Sequence, residues 1–79
     1  MDFDRVRVTV REKLERGEVP REKCLITWFG PGSGQLCVVC DQVIRRSEIE
    51  CECEHPRGGV LRLHQSCFVV WDDARQARV

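Results

Sequence analysis

The chain has 79 residues, thirteen Lys and Arg against thirteen Asp and Glu, and six cysteines. A core this small gives marginal stability alone, so a metal or a set of disulfides commonly supplements it. Balanced charge excludes a bulk attraction to nucleic acid, though not a local basic patch, and no apolar stretch approaches membrane-spanning length.

Residues 4–16 admit two periodicities. Val6, Val8 and Val10 alternate like a strand, whereas Val6, Val10 and Leu14 recur at helical spacing. Helix is preferred, because Gly17 supplies a stop and Glu12 with Arg16 forms an i, i+4 pair. Thr9 and Glu12 also spell a capping box, which would start a shorter helix. The expected role is an amphipathic element that lays its valine and leucine edge on the rest of the chain. Residues 18–23 contain Pro20 and read as a connector.

Residues 24–29, CLITWF, offer a short strand or an extended lid, with Trp28 and Phe29 expected to cover the core rather than face solvent. GPGSGQ at 30–35 lacks the lysine and hydroxyl residue of a phosphate-binding loop and reads as a flexible turn. CVVCDQVI at 37–44 has the form of a knuckle, a tight turn whose amides would point at two thiolates. Asp41 stands where many knuckles carry glycine.

Residues 48–54 and 60–63 read as a hairpin closed by HPRGG. Alternation puts Ile49, Cys51 and Cys53 on an inner face, with Leu61 and Leu63 across the turn. It puts Glu48, Glu50, Glu52 and Glu54 on an outer, solvated one. Residues 64–77 read as a helix with Phe68 and Trp71 packed on the hairpin and Asp72, Asp73, Arg75 and Gln76 toward solvent.

Two ligand-type pairs organise this order: Cys37 with Cys40 and His64 with Cys67, each with two residues between its members. Three thiolates and an imidazole suit one tetrahedral zinc ion per chain, and four filled positions leave none for water or substrate, so the metal reads as structural. The chain starts MDFDRVRV without an apolar leader, so a cytoplasmic, reducing setting is expected, where paired cysteines are more often ligands than bridges. Cys51 and Cys53 read as core residues; the sharper alternative is a second metal site formed with His55 and Cys24. His55 itself reads as a solvated turn residue. Residues 1–79 are expected to form one zinc-binding domain, with 1–23 as helix and connector and 24–79 as the zinc module.

Knuckle, hairpin, then a helix with ligands in its first turn is the order of a treble-clef finger, an α+β fold, and HQSCF resembles the corresponding step of a LIM-type finger. More of the chain resembles a group of short bacterial zinc-finger proteins, through VPR at 19–21, WFGPGSG at 28–34, CVVC, and LHQSCFVVW at 63–71. The resemblance implies zinc ligands at Cys37, Cys40, His64 and Cys67, and implies no activity. The expected function is a non-enzymatic module that binds a protein partner or regulates one. The alternative is a nucleic-acid-binding finger in which Arg5, Arg7, Arg11, Arg45, Arg46, Arg57 and Arg62 gather on one face; a redox protein or metalloenzyme comes third.

Overall fold

Val6, Val10 and Leu14 share the buried face of helix α1 (Phe3–Glu15) while Val8 is exposed, so the helical period governs this segment. These elements come from a computed structural model that describes residues 3–77. The helix does not restart at Thr9, whose hydroxyl donates to the Arg5 carbonyl one turn back. It ends at Gly17, where φ is 73°. There the Glu18 N–H reaches the Lys13 carbonyl at 2.8 Å and the Gly17 N–H reaches that of Leu14 at 3.2 Å, the paired bonds of a Schellman cap.

Three antiparallel strands come next, β1 (Thr27–Pro31), β2 (Ile49–Glu54) and β3 (Val60–His64), in the spatial order β1-β2-β3. The expected hairpin is β2 and β3, and the apolar run before the glycine loop adds β1 as an edge strand against β2, pairing Trp28 with Glu52 and Phe29 with Cys51. Helix α2 (Gln65–Gln76) starts one residue later than expected, because His64 is extended and serves as its N-cap. It packs against α1 on one side and the sheet on another. Trp71 is fully buried, and its indole N–H donates to the Pro20 carbonyl at 2.9 Å, which pins the connector. Phe68 meets Phe29 edge-on and tilts against Trp71.

Several expectations yield to the sheet's edges and to long-range partners. Trp28 and Phe29 are 58% and 54% exposed rather than buried: Trp28 lies opposite Glu52 on the outer face, and Phe29, opposite Cys51 on the inner face, stands on the edge strand where α2 covers it only in part. Ile49 is likewise exposed at the strand's end, while Cys51, Cys53 and Leu63 hold the inner face. Glu50 is not part of a solvated ladder. It is 2% exposed, accepts from the Ser33 N–H and hydroxyl, and pairs with Arg62 at 2.7 Å. Those bonds and the guanidinium outweigh the burial that opposes them, so its carboxyl stays below the usual range. Arg75 does not extend into solvent; it lies over the Trp71 ring and pairs with Asp72 at 2.7 Å.

The cysteines outside the two ligand-type pairs also depart from expectation. The Leu25 N–H donates to the Glu54 carbonyl, which draws the approach to β1 alongside β2 and brings Cys24 to Cys53 with Cα atoms 5.4 Å apart, in a disulfide. Cys53 is a core residue as expected but is bridged, against the reducing setting expected from the cysteine pattern, and Cys37, Cys40, Cys51 and Cys67 remain free. His55 is not solvated: its Nδ1 accepts from the Arg57 N–H and its Nε2 faces Glu22 at 3.8 Å.

Candidate metal centre

The knuckle is built by its backbone. The Cys37 N–H donates to the Gln42 carbonyl and the Asp41 N–H to that of Cys37, and Leu36 bridges Val43, so the chain doubles back within a few residues. The reversal needs one left-handed residue. Asp41 supplies it with φ 62°, a conformation that aspartate tolerates better than most side chains. Lys13 of α1 then closes the turn from outside, its ammonium 2.8 Å from the Val38 carbonyl and 2.9 Å from both Asp41 carboxylate oxygens. The glycine loop runs beside the segment that leaves the knuckle, with the Gly34 N–H on the Ile44 carbonyl and the Ile44 N–H on that of Gln35.

Strand β3 and helix α2 deliver the second pair. His64 ends the strand and Cys67 lies in the first helical turn, where the positive end of the dipole favours a thiolate. The structure brings the Cys37, Cys40 and Cys67 sulfurs and a His64 ring nitrogen within 4.8 Å of one another, the one such cluster of ligand-type side chains among the described residues. Cys24, Cys51, Cys53 and His55 do not make a second. Cys24 and Cys53 are bonded to each other, and burial raises the Cys51 thiol to about 12. The Cys3His cluster is positioned to chelate a single divalent metal such as Zn2+, in both donor type and closeness.

Electrostatics within the cluster favours one anionic sulfur, that of Cys37. A hydrogen bond with Cys67, together with the amides of Cys40, His64 and Val39, outweighs burial and lowers Cys37 to about 4. The amides meet the sulfur as expected of a knuckle. The same Cys37–Cys67 interaction, with burial, pushes Cys67 upward, and burial raises Cys40. His64 is oriented from two sides: Nδ1 lies 3.4 Å from the Cys40 sulfur and Nε2 lies 3.3 Å from Glu48 Oε1. Burial opposes its charged form, but Cys37 and Glu48 together raise its pKa. A carboxylate on the far nitrogen fixes the tautomer that leaves Nδ1 free to bind metal. Glu48 is itself held by the Arg45 N–H at 2.7 Å, the leading cause of its lowered pKa.

Sequence reasoning missed Glu48 and Lys13. Glu48 lies among glutamates two residues apart and Lys13 on a charged helix, so neither carries a local signal.

The chain matches no protein-family model, no curated protein and no solved structure with which it was compared. Its class rests on fold and site. A knuckle, a hairpin and a helix converging on a Cys3His cluster define a small zinc-binding module of treble-clef type, and a closed four-donor set matches a structural metal rather than an enzyme's open coordination site.

Proposed function

We propose that the protein, acting as one domain over residues 1–79, holds one zinc ion on Cys37, Cys40, His64 and Cys67 and works by presenting its surface to a protein partner. Four protein donors complete a tetrahedron, so zinc here joins the knuckle to β3 and α2 and supplies no chemistry to a substrate. The observation that carries the binding role is the exposed apolar run at the sheet's edge. Leu25, Ile26, Trp28 and Phe29 are 67%, 46%, 58% and 54% exposed. Trp28 faces the outer side of the sheet and Phe29 the inner, so exposed apolar groups flank the edge strand on both faces. Exposed apolar surface marks contact sites, and rigid aromatics are common energetic anchors in them.

The nucleic-acid reading has no comparable support. Arg57 pairs with Glu22, and Arg62 pairs with Glu50 and Glu52. Arg5 and Arg45 line a groove beside His64, whereas Arg7 and Arg11 line one between the two helices. Kinship with the short bacterial LIM-like finger proteins belongs to the same proposal, supported by the CVVC and HQSCF strings. The cytoplasmic setting proposed with it rests on the ligand-type spacing of Cys37 and Cys40, and the Cys24–Cys53 bridge counts against it. No helix among the described residues is long and apolar enough to cross a membrane.

The test is affinity capture with zinc-loaded protein and its Trp28→Ala variant. A partner protein is expected to be retained by the parent and lost from the variant at equal zinc content. A variant that keeps its partner in full would sink the reading.

A further inference from the structure

The uncovered edge of β1 has a geometry that selects its occupant. The Gly32 N–H donates to the Glu48 carbonyl and the Glu54 N–H to that of Ile26, and both bonds fall on the register that pairs Trp28 with Glu52 and Gly30 with Glu50. Hydrogen-bonded and non-bonded pairs alternate along an antiparallel ladder. Trp28 and Gly30 therefore direct their backbone groups to β2, and Thr27 and Phe29 direct theirs away from the sheet. The opposite edge is met at its centre, where the Val38 N–H caps the Arg62 carbonyl on β3. Among the described residues no such bond meets Thr27 or Phe29 from outside. Pro31 also points outward, a position that tolerates a missing N–H only at an edge and that ends the pairing.

We propose that this edge pairs with the same edge of a second copy, antiparallel about Trp28. The outward groups of Thr27 and Phe29 stand one residue to either side of Trp28, so a twofold axis at Trp28 sets Thr27 of each chain opposite Phe29 of the other. Four N–H···O bonds result. The two Trp28 side chains then occupy the central non-bonded pair, where opposing residues approach most closely. Charge permits this partner. TWFGP carries no charged residue, the formal net charge is zero, and the lysines that commonly guard natural edges are absent from the strand. The contact is isologous and closes at two chains.

This inference rests on the protein-binding reading in naming its partner, and the experiment separates the two. Sedimentation equilibrium of the zinc-loaded chain should show the mass rising from one chain toward two with concentration. Trp28→Lys places like charges opposite each other and should weaken association by roughly tenfold or more. Trp28→Glu should do the same, and mixing the two variants should restore a one-to-one dimer, which only the register centred on residue 28 allows. Hydrogen exchange supplies a readout without substitution, because the Thr27 and Phe29 amides should gain protection with concentration. A parent that stays monomeric, a Trp28→Lys variant that dimerises like the parent, or unchanged exchange at those amides overturns the proposal. If Trp28 still captures a different protein in that case, the protein-binding reading stands without self-association.

Discussion

The Lys13 ammonium sits 2.9 Å from both carboxylate oxygens of Asp41, so a residue of the first helix grips the turn that carries Cys37 and Cys40. Its side chain is only 11% exposed, and its third bond, to the Val38 carbonyl, ties the knuckle's backbone to α1. Lys13→Met keeps the buried stem and deletes the three bonds. Asp41, at 71% exposure, returns to water at little cost, so the loss is set by the Val38 bond and the weakened pair. Urea denaturation of zinc-loaded protein should show a decrease of about 1–2 kcal/mol. An unchanged midpoint would mean that α1 is fastened by its apolar face alone.

A second prediction concerns Gly32, whose requirement is space rather than backbone conformation. A Cβ there would lie 1.9 Å from the Arg45 carbonyl oxygen, and its nearest neighbours are all backbone atoms of Ile44 and Arg45, which leaves no flexible side chain to move aside. Gly32→Ala should therefore destabilise by about 1–3 kcal/mol or more, by the logic of overpacking. Gly30→Ala, where an added Cβ meets nothing within 4 Å, is the matched control and should be near neutral. Equal thermal midpoints for the two variants would contradict the close approach.

How much of the fold and site is legible in the sequence depends on range. The spacing of Val6, Val10 and Leu14 locates α1, and the two pairs Cys37/Cys40 and His64/Cys67 anticipate donors that do converge. Both signals are short in sequence. The side chains of CLITWF, by contrast, carry no mark of which sheet position they occupy, so Trp28 is expected inside and stands at an edge. Glu50 shares an alternation with Glu48, Glu52 and Glu54, yet it is the one that is buried, because Ser33 closes over it while Arg62 bridges it to Glu52. Likewise, nothing near Cys24 points to Cys53, 29 residues away, because their contact is made by strand pairing.

That bridge leads to a thiol count. Protein purified without reductant, stripped of metal and denatured should show four reactive thiols, Cys37, Cys40, Cys51 and Cys67, with Cys24 and Cys53 unreactive until reduced. Six thiols would instead match the reducing setting expected from the cysteine pattern. Closing a loop of this length should stabilise the fold by about 2–4 kcal/mol on the chain-entropy account, so Cys24→Ala should lower the urea midpoint accordingly. An undiminished midpoint would show that the sheet alone holds this corner.

The last prediction links metal, fold and pH. If Cys37, Cys40, His64 and Cys67 hold zinc and the fold depends on it, Cys40→Ser should leave most of the chain unfolded. Circular dichroism and zinc content would be lost together, and a variant of full thermal stability would refute the coupling. The pH dependence of affinity reports the metal-free state. In a folded metal-free frame Cys37, at about 4, is already a thiolate at neutral pH, while the raised thiols of Cys40 and Cys67 must each release a proton to bind. Once His64, whose pKa is also raised, has lost its proton, affinity would then rise about a hundredfold per pH unit, since two protons leave per metal. In an unfolded chain all three thiols titrate near the ordinary value of about 8.5, so three protons leave and the rise approaches a thousandfold per unit below it. Both slopes have the same sign, because zinc and protons compete for the same sulfurs and acid releases the metal. Coupled folding requires the steeper one, measured by competition with a chromophoric chelator between neutral and mildly alkaline pH. The shallower slope would show that the disulfide and the apolar core keep the cluster assembled without metal.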